Sequence, residues 1–145
     1  MTLTVGGKYS VPSINQIGCG LNCTGIVKKI TDGCFTITSP VQTGLKVCLG
    51  RTVVFDIGSA TIVITEEGWE PYGPELFMHG RLIPEESQFM LIKSRVHFRA
   101  GFESVTNSII MAAGPGVCSS DYSQFNFSRL PKPMFPFDKK MNLKI

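Results

Sequence analysis

Lys93, Ser94, His97 and Arg99 are the residues of this chain whose types and spacing best suit chemistry. They stand where a strand-like apolar run, 89–92, meets a helical pattern over 95–105. Phe98, Phe102 and Val105 fall there at i, i+4 and i+7, one face of a helix. Ser94 takes the N-cap place, where a hydroxyl oxygen accepts from a free N–H of the first turn. Lys93, Arg95, His97 and Arg99 then crowd the positive end of the helix dipole, an unfavourable placement worth about 0.3–1 kcal/mol per exposed group. A carboxylate of the protein or a bound anion is expected to offset them. Ser94 and His97 are also spaced as a nucleophile and base on a helix, but no third orienting group accompanies them. Capping accounts for Ser94 without that chemistry.

Two other groups of reactive side chains invite a reading. Glu66, Glu67, Glu70 and Glu75 lie in an acidic loop with Trp69. A carboxylate pair can do acid–base work, but such a loop is more simply solvated. These acids are candidates to neutralise the basic junction. The cysteines, Cys19, Cys23, Cys34, Cys48 and Cys118, are odd in number and no export signal precedes them, so they read as free thiols rather than a disulfide framework. Zinc at Cys19, Cys23, Cys34 and Cys48 is a poor fit, because the last two are not a close pair. His79 and His97 add no metal-ligand motif.

These residues must be positioned mainly by strands. Leu3 to Val5 is a short β segment, followed by a loop to about Gly20 and weak alternation from Cys23 to Ile30. Asp32-Gly33 signals a hairpin turn into a strand at 34–38. The clearest unit is a β-hairpin, Arg51 to Ile57 and Thr61 to Thr65, joined through Gly58-Ser59-Ala60. Both arms are β-branched at nearly every position and are expected to be covered on both faces. Pro74 suits the first turn of a short helix reaching His79. Strands at 89–92 and 108–112 and a turn at 113–116 complete the pattern. The fold class is α+β: a mixed or antiparallel sheet, mostly β, with one or two short helices on a face.

The 145 residues suit a single domain, able to bury about 68–70% of the unfolded surface. A net charge of +3, with no binding motif interleaved, argues against nucleic acid as partner. No apolar run reaches the ~18–20 residues of a membrane span, and no secretory signal is visible, so a cytoplasmic protein is expected. Residues 125–145 differ from the rest. Phe125, Phe127, Leu130, Met134, Phe135 and Phe137 alternate with Pro131, Pro133 and Pro136, which favours an extended, polyproline-like tail. Such a tail must wrap its own domain or pack on another, with Lys139, Lys140 and Lys144 solvated beyond it. The residues alone also fit a stand-alone module that holds a small anion, or a structural one, paired through this tail.

In order along the chain, Lys93-Ser-x-x-His97-Phe-Arg-Ala-x-Phe102, the Pro115-Gly116 turn and Arg129-x-x-x-Pro133-x-x-Pro136-x-Asp138 resemble the C-terminal domain of the MlrC (microcystinase C) family. Val5 to Lys8, Asp32 to Phe35 and Gly50 to Thr52 are similar to its opening, hairpin and strand-start segments. Pro131-Lys132 departs from the basic pair usual before the final Pro-x-x-Pro, and the clustered cysteines are not a family feature.

The resemblance implies part of a zinc-dependent peptidase rather than a whole one. The family's zinc ligands, an Asp-x-His and a further His, belong to a larger upstream domain, and this chain has no Asp-x-His. No cofactor is therefore expected in this chain, and its partner would be that metal-bearing N-terminal domain, in cis or in trans. By the same resemblance, Lys93, Ser94, His97 and Arg99 would face the substrate cleft. Lys93 and Arg99 would bind the carboxylate of a small peptide or another anion, and His97 would reach substrate or an acid beside the metal. Phe127, Arg129, Pro133, Phe135, Pro136 and Asp138 would pack between domains.

Overall fold

A computed structural model describes residues 1–7, 10–11, 17–112, 114, 119 and 121–138. Cys118, the turn at 113–116 apart from Gly114, and Lys139, Lys140 and Lys144 lie outside them. Among these described residues, seven strands precede two short α-helices: β1 (Thr2–Val5), β2 (Leu21–Thr24), β3 (Ile26–Thr31), β4 (Cys34–Thr36), β5 (Lys46–Cys48), β6 (Thr52–Asp56), β7 (Thr61–Thr65), α1 (Glu75–His79) and α2 (Phe98–Phe102). They form a β3–β6–β7 sheet and two-stranded β1–β2 and β4–β5 pairs, an α+β fold of mostly antiparallel strands. No helix among the described residues is long and apolar enough to cross a membrane.

The expected hairpin is β6–β7, with Asp56 opposite Thr61 and Thr52 opposite Thr65. Its turn is closed by Ile57 N–H donating to the Ala60 carbonyl at 2.9 Å, while Asp56 Oδ1 accepts from Gly58 N at 2.8 Å. Gly58 holds φ +82°, where a side chain is strained. β6 is the central strand, and Phe55 and Thr52 are wholly buried in it. β7 is an edge strand and only half-buried, so the expectation of cover on both faces holds for one arm alone.

Three other expectations are corrected. Asp32-Gly33 does not join a hairpin. It turns the chain from β3, which pairs with β6, into β4, which pairs with β5. Asp32 Oδ1 accepts from Cys34 N at 3.1 Å, so the turn chemistry is present, but the open edge of β6 competes successfully for β3. β5 is too short to declare itself in sequence, yet its register sets Cys48 opposite Cys34, Cα to Cα 4.0 Å, and the two form a disulfide. The free-thiol reading therefore fails for this pair, and a four-cysteine zinc site with it. Cys19 is free and exposed, and Cys23 is free and buried. Finally, 89–92 and 108–112 are not strands, because no strand among the described residues lies alongside either to pair with it.

The chain divides into two compact units: Met1–Leu3 with Cys23–Ile110, and Thr4–Asn22 with Met111–Ile145. In the first, Ile37, Val47, Leu49 and Leu76 form a buried cluster, with Phe35, Val63, Trp69 and Tyr72 packed against it. Glu75, the first residue of α1, is buried beside this cluster. Its Oε1 accepts from Thr38 N at 2.9 Å, Thr38 Oγ1 at 3.0 Å and Ser39 N at 2.6 Å. Burial pushes its pKa up, but these donors and its own N–H outweigh that and hold it below the ordinary value.

In the second unit the tail is not one extended path. A 3-10 turn at Tyr122–Gln124 starts it, and Asp138 closes a later turn, its N–H donating to the Met134 carbonyl at 2.9 Å while its Oδ2 accepts from Met134 N at 2.8 Å. Proline density blocks regular structure, as expected, but the aromatic rings collect on one another: Phe127 packs on Phe125 and Phe137, and Tyr122 on Phe137.

Candidate functional site

The basic junction is built on the loop 66–74. Trp69 and Tyr72 anchor that loop in the core cluster and meet edge to face, ring centroids 5.4 Å apart. Glu66 leaves for the edge of the sheet, where its carboxylate accepts from Arg51 N and Arg51 Nε, both at 2.8 Å. The Arg51 N–H and then its guanidinium hold Glu66 below its ordinary pKa. Glu75 turns inward. Only Glu70 reaches the junction: its Oε1 accepts from Ser94 Oγ at 2.6 Å.

Ser94 Oγ in turn accepts from Phe98 N at 3.3 Å, so the hydroxyl links the Glu70 carboxylate to the start of α2. The expected helix over 95–105 shrinks to Phe98–Phe102, five residues, so the N-cap position falls on His97, whose side chain makes no cap bond, and not on Ser94. Phe98 and Phe102 are buried as the periodicity implies, and Phe102 meets Phe77 of α1 at 6.2 Å. Gly101 explains how closely the helix approaches: a Cβ there would strike the Tyr72 carbonyl. A glycine costs about 1 kcal/mol inside a helix, so its presence in the pattern is the signal that a backbone lies against it.

The four sequence-selected residues sit on this corner with unequal engagement. Ser94 is half-buried, while Lys93, His97 and Arg99 are exposed. His97 lies edge to face on Tyr72 at 5.5 Å, and the Arg99 guanidinium stands 5.5 Å from the Phe98 ring centroid. No ion pair joins Lys93 or Arg99 to a carboxylate among the described residues. The corner can therefore present two cations and an imidazole to an anionic group, on a frame fixed by Glu70, Ser94 and Tyr72. Glu70 was legible as one of four candidate acids. Tyr72 carried no signal that set it apart from an ordinary loop aromatic.

The candidates for packing between domains lie in the second unit. Arg129, Pro133, Phe135 and Pro136 are exposed, Phe127 belongs to the ring cluster, and Asp138 closes its turn. Tyr122, Phe125, Leu130 and Met134 help line a cavity of about 270 Å³ there.

Comparison with known proteins extends these observations. A family model described as MlrC C-terminus matches residues 1–129. Microcystinase C of Sphingomonas sp. is 29% identical over 137 residues, which are 94% of this chain and 25% of that protein. A solved structure of a provisionally assigned metallopeptidase from Mesorhizobium sp. aligns with a TM-score of 0.78 and 20% identity, over 95% of this chain and 26% of the other. At that identity the likeness is one of fold. The chain spans about a quarter of the length of both relatives.

Proposed function

The chain belongs to the MlrC C-terminus family, and from that premise we propose that it is a non-catalytic C-terminal domain of an MlrC-like, zinc-dependent peptidase. It shapes the substrate cleft of a metal-bearing domain outside this chain, in cis or in trans. Lys93 and Arg99 take the carboxylate of a small peptide, Lys93 as a point charge and Arg99 through paired N–H donors. His97 hydrogen-bonds the substrate or an acid of the partner domain. Ser94 and Glu70 hold the corner in place.

The observation that carries this reading is the division of labour at the corner. Glu70 is engaged by Ser94, whereas the exposed Lys93 and Arg99 have no carboxylate partner among the described residues. Zinc does not fit this chain's own residues: among those described, no three His, Cys, Asp or Glu side chains gather as a metal-binding group. In this reading the chain's part is binding and orientation.

The test uses a full-length peptidase containing this domain. Arg99→Ala should raise KM, or lower kcat/KM, on the order of tenfold for a small peptide with a free carboxylate, with the melting temperature unchanged. Unfolding of the variant would make Arg99 a structural residue and remove the cleft assignment.

A further inference from the structure

Residues 88–93 behave as a strand without a sheet. Phe89, Leu91 and Lys93 are exposed while Met90, Ile92 and Ser94 are half-buried, the period-two alternation of a β-strand. Phe89 is 81% and Leu91 94% exposed, the latter the most exposed large apolar side chain among the described residues. From 88 to 93 no backbone group is hydrogen-bonded to a described residue. Ordinary loops turn polar side chains outward, whereas this one presents Phe89 and Leu91 beside unpaired N–H and C=O groups. That combination is a template for strand addition.

We propose that 88–93 adds as a β-strand to an open sheet edge of the larger part of an MlrC-like peptidase, with Phe89 and Leu91 buried in it. This rests on the proposed function and names how the partner domain is held. The occupant follows from length: about three-quarters of each matched relative lies outside the match, so a large body of chain accompanies this domain there. It follows also from continuity. Leu91 lies two residues before Lys93, so pairing along 88–93 sets the basic corner at the rim of the same partner. A second copy is a poorer occupant, because a ribbon of two such short segments is marginal by itself.

The experiment places this chain behind the part of Sphingomonas microcystinase C outside the match, replacing the quarter it aligns with. Amide hydrogen exchange is then compared between the fusion and the 145-residue chain alone. Amides of 88–93 should exchange freely in the chain alone and slow on the order of a hundredfold in the fusion. Leu91→Pro removes one backbone donor at an exposed position. It should lower the melting temperature of the fusion by about 5 °C and leave that of the chain alone unchanged.

If exchange slows over 93–99 in the fusion but not over 88–93, and Leu91→Pro is silent, the strand is refuted while the partner-domain reading stands. If nothing on the chain is protected in the fusion, both fall. If the chain alone sediments as a dimer that Leu91→Pro dissociates, the segment belongs to a second copy and the proposal is overturned.

Discussion

Two glutamates five positions apart, Glu70 and Glu75, meet opposite fates. Glu75 is buried at the start of α1, and one of its oxygens accepts from three donors of Thr38 and Ser39. Glu70 is half-buried and accepts from Ser94 at the edge of a corner whose cations face outward. The first carboxylate is consumed in holding the chain together, and replacing it leaves the buried Ser39 N–H and the part-buried Thr38 N–H without their acceptor. The second fixes a hydroxyl that positions other residues, while Lys93 and Arg99 nearby have no carboxylate partner among the described residues. Within one unit, the internally satisfied region is framework, and the region with surplus charge and unpaired backbone is where a partner or ligand has something to supply.

The comparison breaks most severely at the framework. Phe55→Ala empties the fully buried centre of β6 and should cost about 4 kcal/mol, read from chemical denaturation. Glu75→Ala should cost about 2–3 kcal/mol, since the buried Ser39 N–H and the part-buried Thr38 N–H lose their acceptor. Glu75 also predicts a pH dependence. Its folded pKa is depressed, so its stabilisation is fully present above the unfolded value of about 4.3 and is lost as pH falls through the folded pKa. Melting curves of the wild type should thus fall in that acidic window by more than those of Glu75→Gln. Parallel curves would show that Glu75 does not titrate differently on folding.

The same contrast governs what the sequence revealed. The β6–β7 hairpin was legible because its β-branched arms and Gly58 turn are local signals. α1 was legible from Pro74. The apolar runs at 89–92 and 108–112 misled, because hydrophobicity reports a tendency to be buried and not whether this chain supplies the cover: Leu91 and Ile110 are almost fully exposed. The Cys34–Cys48 disulfide was hidden because it depends on β5, three residues whose register only the fold creates. At the candidate site, the spacing of Lys93, Ser94, His97 and Arg99 marked the corner, but the choice of Glu70 among four acids is tertiary. The close backbone approach at Gly101 is tertiary too.

Ser94→Ala separates the two regions more finely. It removes the donor to Glu70 and the acceptor for Phe98 N, and should cost about 1 kcal/mol, the ordinary worth of a hydrogen bond and less than any framework change. The loss should appear as faster amide exchange over 98–102, with β3, β6 and β7 unaffected. A cost as large as that of Glu75→Ala would mean the corner is framework after all.

Arg99→Ala should be the mildest change. The side chain is exposed and its described contact is with the Phe98 ring, a contact worth about 0.5–1 kcal/mol at an exposed site. Stability should therefore stay within about 1 kcal/mol of wild type. A near-neutral variant here, beside costly ones at Phe55 and Glu75, is what a charge held for a ligand predicts. A loss of 2 kcal/mol or more, beyond the ordinary range for a surface substitution, would place Arg99 with Glu75 among residues already satisfied by the fold.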